Sequence, residues 1–441
     1  MNAANYPRTV VISATPIATD IANGHLLKSL FCGWPKERLA QIYFLVAKTS
    51  IPDPTFCDDY RRVSLTGRVD RVKSLQDDLD VLQPGIIAAT ASSIKRHIPW
   101  SHKLRPLVEA VRFAQPLTRV LVRELVDMRP DRVYALLGNC WMSRIVPKAC
   151  VEAGIPFYAH ITDDFVTSLY YKNLFGSTIS QFSERVFRRA VDNSGGRAAI
   201  SPLMADEYQC RYGGEWDWFT TVIDPDAYTP NPRSPDRELR FVYAGGLGIG
   251  RWRTLRDVAK ALARIGDRLG MRPRLDLYTP PSDSSQYHKV FKATGVVQMR
   301  GWINSNQLPG VFHNADVLLH VESFDDTMAT YTRHSFSTKL SQYMMAARCI
   351  LAVGPEQSGS SCMVHRAKAG VLAGSQNPES LEKAIQPVFV DASLRQACAE
   401  NGRKYAKRWF TASSNRERFR RALVNAGNLP RVNMSPNRWA A

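Results

Sequence analysis

Short apolar runs alternate along the chain with stretches whose apolar positions recur every three or four residues. The first pattern suits strands buried on both faces, and the second suits the helices that cover them. Residues 10–13 form the first run, followed by Asn23-Gly24-His25 as a loop and a helix from about Leu26. Further strands are predicted at 41–46, 85–89, 132–137, 157–161 and 198–201. Helices are predicted at 104–128, 142–153 and 180–191. Pro106 and Pro116 start or kink pieces of the first of these helices, and Gly154-Ile155-Pro156 makes a turn.

From Asp224 to Pro235 prolines and polar residues interrupt the pattern and mark a linker. The alternation then restarts with strands at 240–244, 274–278, 296–299, 316–321 and 349–353. Helices at 255–269, 308–314 and 339–347 lie between or after them, and a last helix over 394–423 is broken near Thr411. Strand and helix alternating on both sides of a linker predict an α/β protein of two parallel-sheet domains. The expected division is a first domain over 1–225, a linker over 226–238 and a second domain over 239–400. A helix over 401–424 is expected to pack back on the first domain, ahead of a loose tail over 425–441 with few apolar anchors.

Composition adds two constraints. At 441 residues the chain exceeds what one core usually holds, and its 44% hydrophobic and 22% charged residues suit a globular protein. No run approaches the roughly 20 apolar residues of a membrane-spanning helix, and the polar start lacks the layout of a signal peptide. Eight scattered cysteines without a CxxC pair suit free thiols in a reducing compartment, so a cytoplasmic location is expected and no metal site. The second constraint is a formal charge of +18. Lys95, Arg96, Lys103, Arg105, Arg112, Arg119 and Arg123 form one basic segment, interleaved with Trp100 and Phe113. Arg403, Lys404, Lys407, Arg408, Arg416, Arg418, Arg420 and Arg421 form another, with Trp409 and Phe410. Solvated faces account for such runs equally well. As a partner, an anionic membrane surface ranks ahead of nucleic acid, because no zinc-finger spacing or aromatic RNA-binding signature is present. Peripheral attachment at the inner face of the cell membrane follows from that reading.

Two segments carry candidate chemistry. Tyr243-Ala244-Gly245-Gly246-Leu247-Gly248-Ile249-Gly250-Arg251 sets four glycines between a strand and a helix. Glycines allow left-handed turns and close approach of backbone to a ligand, and Arg251 and Arg253 add charge for a pyrophosphate. Arg251 stands where the G-x-G-x-x-G fingerprint needs its third glycine, and no acid ends the following strand, so a nicotinamide or flavin site is not expected. In Ser335-Phe336-Ser337-Thr338-Lys339-Leu340 the hydroxyls are natural helix caps. Lys339 in the first helical turn opposes the helix dipole, a conflict that a bound phosphate resolves. Gln342 follows one turn later and is placed to hydrogen-bond a ribose, while Arg348 suits the helix end.

Gly301-Trp302, Leu308, Ala315-Asp316-Val317-Leu318-Leu319, Ser337-Thr338-Lys339-Leu340, Gln342-Tyr343-Met344 and Ile350-Leu351-Ala352 follow in that order. This series resembles the C-terminal half of GT-B fold glycosyltransferases of the group 1, family 4-like type, over most of residues 239–375. The resemblance implies two Rossmann-like domains facing an interdomain cleft, a nucleotide-sugar held mainly by the second, and no required metal or other cofactor. It assigns Gly246, Gly248 and Ser337 to donor binding, Arg251 and Lys339 to the donor diphosphate, Gln342 to the ribose, and Gly301 and Trp302 to the base pocket. The family's usual glutamate, glycine and proline are Gln342, Ala347 and Cys349 here.

In the first half, Asn23, Gly24 and His25 resemble the family's acceptor-side glycine loop. The segment Tyr158-Ala159-His160-Ile161-Thr162-Asp163-Asp164-Phe165 resembles its loop facing the sugar, making His160, Asp163 and Asp164 the catalytic candidates. Glu322 and His334 border the same cleft as candidate contacts to a donor sugar. Asp224-Pro225-Asp226 imitates a DxD metal motif but reads as turn chemistry, and Asp325-Asp326 reads as a solvated loop.

The implied activity is transfer of a sugar from a UDP- or GDP-linked donor to a saccharide or lipid-linked acceptor in surface polysaccharide biosynthesis, with retention of configuration. The alternatives are a nucleotide-sugar epimerase of the same fold and a non-catalytic nucleotide-sugar-binding protein.

Overall fold

The structure is a computed structural model that describes residues 6–18, 22–44, 52–64, 66–72, 114–168, 176–228 and 238–426. They form two compact units, one of residues up to 220 together with those from 416 on, the other of residues 221–415.

The first unit is built on an eight-stranded sheet in the order β4-β3-β2-β1-β5-β6-β7-β8. Its strands are β1 (Thr9–Ser13), β2 (Leu39–Phe44), β3 (Asp59–Val63), β4 (Val69–Val72), β5 (Arg132–Leu136), β6 (Phe157–Ile161), β7 (Gly196–Ala199) and β8 (Asp217–Trp218). All neighbours are parallel except the β3–β4 pair at one edge. The helices are α1 (Ala22–Phe31), α2 (Ala114–Met128), α3 (Cys140–Ala153), α4 (Phe165–Ser168), α5 (Gly176–Asp192) and α6 (Pro202–Tyr212). Local chemistry sets their ends. The Asn139 side chain accepts the Met142 N–H at the start of α3, and left-handed Gly154 ends that helix. Ser201 caps α6 just ahead of Pro202.

The second unit carries a parallel six-stranded sheet, β11-β10-β9-β12-β13-β14. Its strands are β9 (Glu238–Ala244), β10 (Arg272–Tyr278), β11 (Val297–Met299), β12 (Val317–Val321), β13 (Cys349–Val353) and β14 (Gly370–Ala373). Its helices are α7 (Arg251–Leu269), α8 (Pro281–Lys292), α9 (Leu308–His313), α10 (Asp326–Thr332), α11 (Thr338–Met345), α12 (Gly359–Ala367), α13 (Pro378–Val390) and α14 (Ala392–Trp409). The core joins Leu255, Val258, Leu262 and Ile265 of α7 to Phe241, Leu275, Leu319, Leu351, Leu381 and Ile385, all almost fully buried. These positions of α7 recur at helical spacing, so one face meets the sheet.

The last helix, α15 (Ala412–Asn425), begins in the second unit and returns the chain to the first. There Phe419 is fully buried, with edge-on ring contacts to Phe31, Tyr134 and Phe219 at 5.1–5.4 Å.

Several expectations are corrected. Asn23, Gly24 and His25 lie inside α1 rather than in a loop. Asp325 sits exposed in the loop after β12 and its side chain also caps α10 by accepting the Thr327 and Met328 N–H groups, while Asp326 belongs to that helix and not to the loop. Asn425 ends a helix and Ala426 is buried, and the rest of the expected tail, 427–441, lies outside the described residues. The strand expected at 85–89, the residues 104–113, and Lys95 to Arg112 with Trp100 and Phe113 lie outside the described residues.

Candidate functional site

In the second unit the chain leaves β9 toward β10 and β11 on one side and crosses to β12, β13 and β14 on the other. The strand order therefore reverses between β9 and β12. Open parallel sheets hold ligands at such a point, outside the carboxyl ends of the strands. Two segments meet there: the glycine turn after β9, and Glu322 directly after β12.

The turn is built by its glycines. Gly245 has φ +150° and Gly250 has φ +80°, conformations that side chains disfavour, and Ile249 between Gly248 and Gly250 is held at φ +48°. A β-carbon on Gly245 would collide with Lys339 Nζ, and one on Gly250 would lie 2.5 Å from Ser323 Oγ. The Tyr243 hydroxyl donates to the Gly246 carbonyl at 2.7 Å, and the Leu247 N–H donates to Asp283 at 2.7 Å. Left-handed Gly250 precedes Arg251 at the start of α7.

Arg251 forks onto Glu322, with Nη2 3.1 Å from Oε2 and 3.3 Å from Oε1. Glu322 is 4% exposed. Its backbone is pinned by donation to Val353 O at 2.9 Å and by acceptance from Thr254 Oγ1 at 2.9 Å. His320 Nε2 approaches Oε1 to 3.3 Å. Burial alone would raise the Glu322 carboxyl, but His320 and Arg251 hold it at about 2.

Lys339 completes the group. Its Nζ lies 4.5 Å from the centroid of the fully buried Tyr243 ring, against Gly245. Among the described residues no carboxylate lies within ion-pair distance of this amine, and burial together with nearby Arg251 lowers it to about 7. Lys339 is the second residue of α11, whose N-cap Ser337 makes no side-chain capping bond. Ser337 donates its own N–H to Ser360 Oγ at 3.3 Å. The helix thus brings a cation and its own positive end to one place. Gln342, half-buried, lies three residues along the same helix.

Gly301 and Trp302 follow β11 two strands away. Gly301 has φ +76° and accepts the Thr279 N–H at 3.1 Å, which joins it to the end of β10. Trp302 is 56% exposed, an unusual state for an indole. Among the donor residues, Gly246, Gly248, Arg251 and Lys339 come together, Ser337 and Gln342 share their helix, and Gly301 and Trp302 sit at the same carboxyl edge of the sheet. The sequence reading missed how Glu322 and Tyr243 frame this group. The sequence reading named Glu322 as a candidate contact to a donor sugar, directly after the strand predicted at 316–321, but not as the partner of Arg251.

In the first unit the candidates are placed less favourably. His160 is fully buried within β6, with Nδ1 against the Tyr134 hydroxyl, and burial pulls its ring down to about 4. A sealed imidazole of that kind suits a core role rather than proton exchange with a substrate. Asp164 is 1% exposed and accepts from Thr167, from Tyr208 at 2.9 Å and from Arg211 at 3.2 Å, so its carboxylate is committed to structure. Asp163, half-buried, follows the carboxyl end of β6 and accepts from Thr162 at 3.2 Å. In α1, a β-carbon on Gly24 would sit 2.8 Å from Pro16 O, which fixes glycine there. Burial and then Lys28 lower the neighbouring His25, while Asn23 is half-buried. Asp224 accepts the Asp226 N–H in a short 3-10 turn, and among the described residues no cluster of three His, Cys, Asp or Glu could hold a metal.

No family model matches the chain, and no curated protein matches it in sequence. Solved structures do match. Sucrose-phosphate synthase from Thermosynechococcus elongatus is 12% identical, with 93% of this chain and 96% of that one covered at a TM-score of 0.62. HepE of Anabaena, in complex with UDP, is 13% identical, with 94% and 99% covered at 0.63. Trehalose 6-phosphate synthase from Burkholderia multivorans is 11% identical, with 96% and 98% covered at 0.57. These neighbours are GT-B glycosyltransferases, and their two parallel-sheet domains correspond to the two units described above. The chain has the GT-B fold.

Proposed function

We propose that this protein is a glycosyltransferase that takes a sugar from a nucleotide-linked donor, with the donor diphosphate held by the second unit. The observation carrying this reading is Lys339, an amine with no carboxylate within ion-pair distance among the described residues, set beside Arg251 at a helix N-terminus and a glycine turn. As the bond from the anomeric carbon to the diphosphate oxygen breaks, negative charge grows on the departing nucleoside diphosphate. Arg251, a protonated Lys339 and the N–H groups opening α11 are suited to stabilise that charge. Gln342 is proposed for the ribose, with Gly301 and Trp302 at the base. UDP is the first donor base to try, since HepE is described with UDP and with UDP-glucose bound.

Of the acceptor-side candidates, Asp163 is the one we retain for a role near the sugar. Retention of configuration and a saccharide acceptor at an anionic membrane face belong to the same proposal. Its support is the exposed trio Lys404, Lys407 and Arg408 on α14, with half-buried Trp409 beside them. Among the described residues no helix is long and apolar enough to cross a membrane.

The direct test is calorimetric titration with UDP, GDP and ADP and their sugar conjugates, followed by turnover with an acceptor panel. Saturable binding of one diphosphate that Lys339→Ala weakens at least tenfold is the expected result. Donor consumption without acceptor would favour an epimerase, binding without turnover a non-catalytic protein. No nucleotide binding at all would overturn the proposal.

A further inference from the structure

We infer that Glu322 is an internal stand-in for phosphate, which occupies the Arg251 fork until an anion able to engage both Arg251 and Lys339 displaces it. The inference deepens the donor-site reading and rests on it for the identity of that anion.

Three observations converge. The Glu322 carboxylate faces the guanidinium through both oxygens at 3.1–3.4 Å, the two-point geometry that arginine also offers to a phosphate. The backbone that carries the carboxylate is fixed, because it is tied to β13 and to Thr254, and a β-carbon on Gly354 would lie 2.9 Å from the Glu322 Cβ. Its carboxylate meets Arg251 and, at 3.3 Å, His320 Nε2, so it keeps a partner when an anion takes the guanidinium. Lys339, by contrast, is held against Gly245 and the Tyr243 ring with no such carboxylate of its own among the described residues. One cation is therefore already neutralised while the other waits.

A monophosphate or sulfate-like anion that takes the Arg251 fork must displace Glu322 and gains a single cation in return, and one that settles on Lys339 instead is repelled by the neighbouring Glu322 carboxylate. A nucleoside diphosphate spans two phosphoryl groups and recruits Lys339 as well, which offsets the loss of the Glu322 pair. Glu322 thus sets specificity by penalising small anions more than diphosphates.

The experiment is titration of wild type, Glu322→Gln and Glu322→Asp with UDP, UMP, inorganic phosphate and inorganic pyrophosphate, with melting temperatures recorded for each. Glu322→Gln is expected to tighten UMP and phosphate at least fivefold and to lower the UDP-to-UMP affinity ratio by a similar factor. Glu322→Asp, which keeps the charge, is expected to retain a ratio within about twofold of wild type. If Glu322→Gln binds small anions no better than wild type, or if both variants change the ratio alike, the stand-in role is wrong. If wild type binds no nucleotide yet Glu322→Gln gains pyrophosphate binding, the stand-in role holds and the donor assignment falls. If no form binds any of the four anions, both fall.

Discussion

Lys339 occupies a position where its charge is disfavoured by burial, by Arg251 and by the positive end of α11. The consequence for pH has two opposite signs. Without ligand, the unfolded chain keeps a proton that the native state has lost between about pH 7 and the ordinary lysine range. This group therefore favours folding increasingly as pH rises through that window. A bound diphosphate restores the proton, so binding above pH 7 takes up a proton and weakens as pH rises. Titrations at pH 8 in buffers of different ionisation enthalpy are expected to give an uptake approaching one proton, abolished in Lys339→Ala; equal heats in all buffers would refute it.

Ile249 is the other informative residue, a β-branched side chain at φ +48° and 36% exposed. A left-handed conformation costs a non-glycine residue roughly 1–2 kcal/mol, more than the extra chain entropy of glycine. Ile249→Gly is expected to stabilise the protein by about 0.5–1 kcal/mol, read by urea denaturation, whereas Ile249→Ala is not.

At the scale of elements, the sequence makes the buried parallel strands plain. β13 is a continuous apolar run and β12 is interrupted only by His320, and their flanking turns and helix starts are legible for the same reason. β3 is not legible, because Asp59-Tyr60-Arg61-Arg62-Val63 is polar in sequence. Arg61 is buried because Asp59 and the distant Glu124 and Asp127 meet its guanidinium at 2.7–2.8 Å. α8 escapes notice for a similar reason. It is polar along most of its length, and its link to the site is one carboxylate, Asp283, on the Leu247 N–H, with Tyr287 stacked on Trp252 at 5.1 Å. The acceptor-side candidates suffer from a different ambiguity. His160 and Asp164 sit at suggestive spacings, yet only three-dimensional packing reveals that one is sealed and the other fully partnered. The glycine turn allows a direct check. Gly250→Ala puts a side chain at φ +80° and against Ser323, so a loss of roughly 1–2 kcal/mol is expected in urea denaturation. A neutral result would show that the turn relaxes freely.

For the molecule as a whole, each unit has its own core, so heating is expected to resolve two calorimetric transitions. UDP is expected to raise only the one belonging to the second unit. Phe419→Ala, which empties a fully buried aromatic site in the first unit, is expected to lower only the other, by about 3–5 kcal/mol. Movement of both transitions together in either experiment would contradict this independence.

The position of Phe419 also orders events during synthesis. The first unit is begun first but lacks its last buried ring until α15 emerges, whereas the second unit is one continuous stretch of chain. At about 5–20 residues per second, the roughly 200 intervening residues take on the order of 10–40 s to be made. Throughout that interval the nascent first unit presents an open aromatic slot around Phe31, Tyr134 and Phe219. The half of the protein that the ribosome delivers first is therefore the half that matures last, and the half most in need of a chaperone.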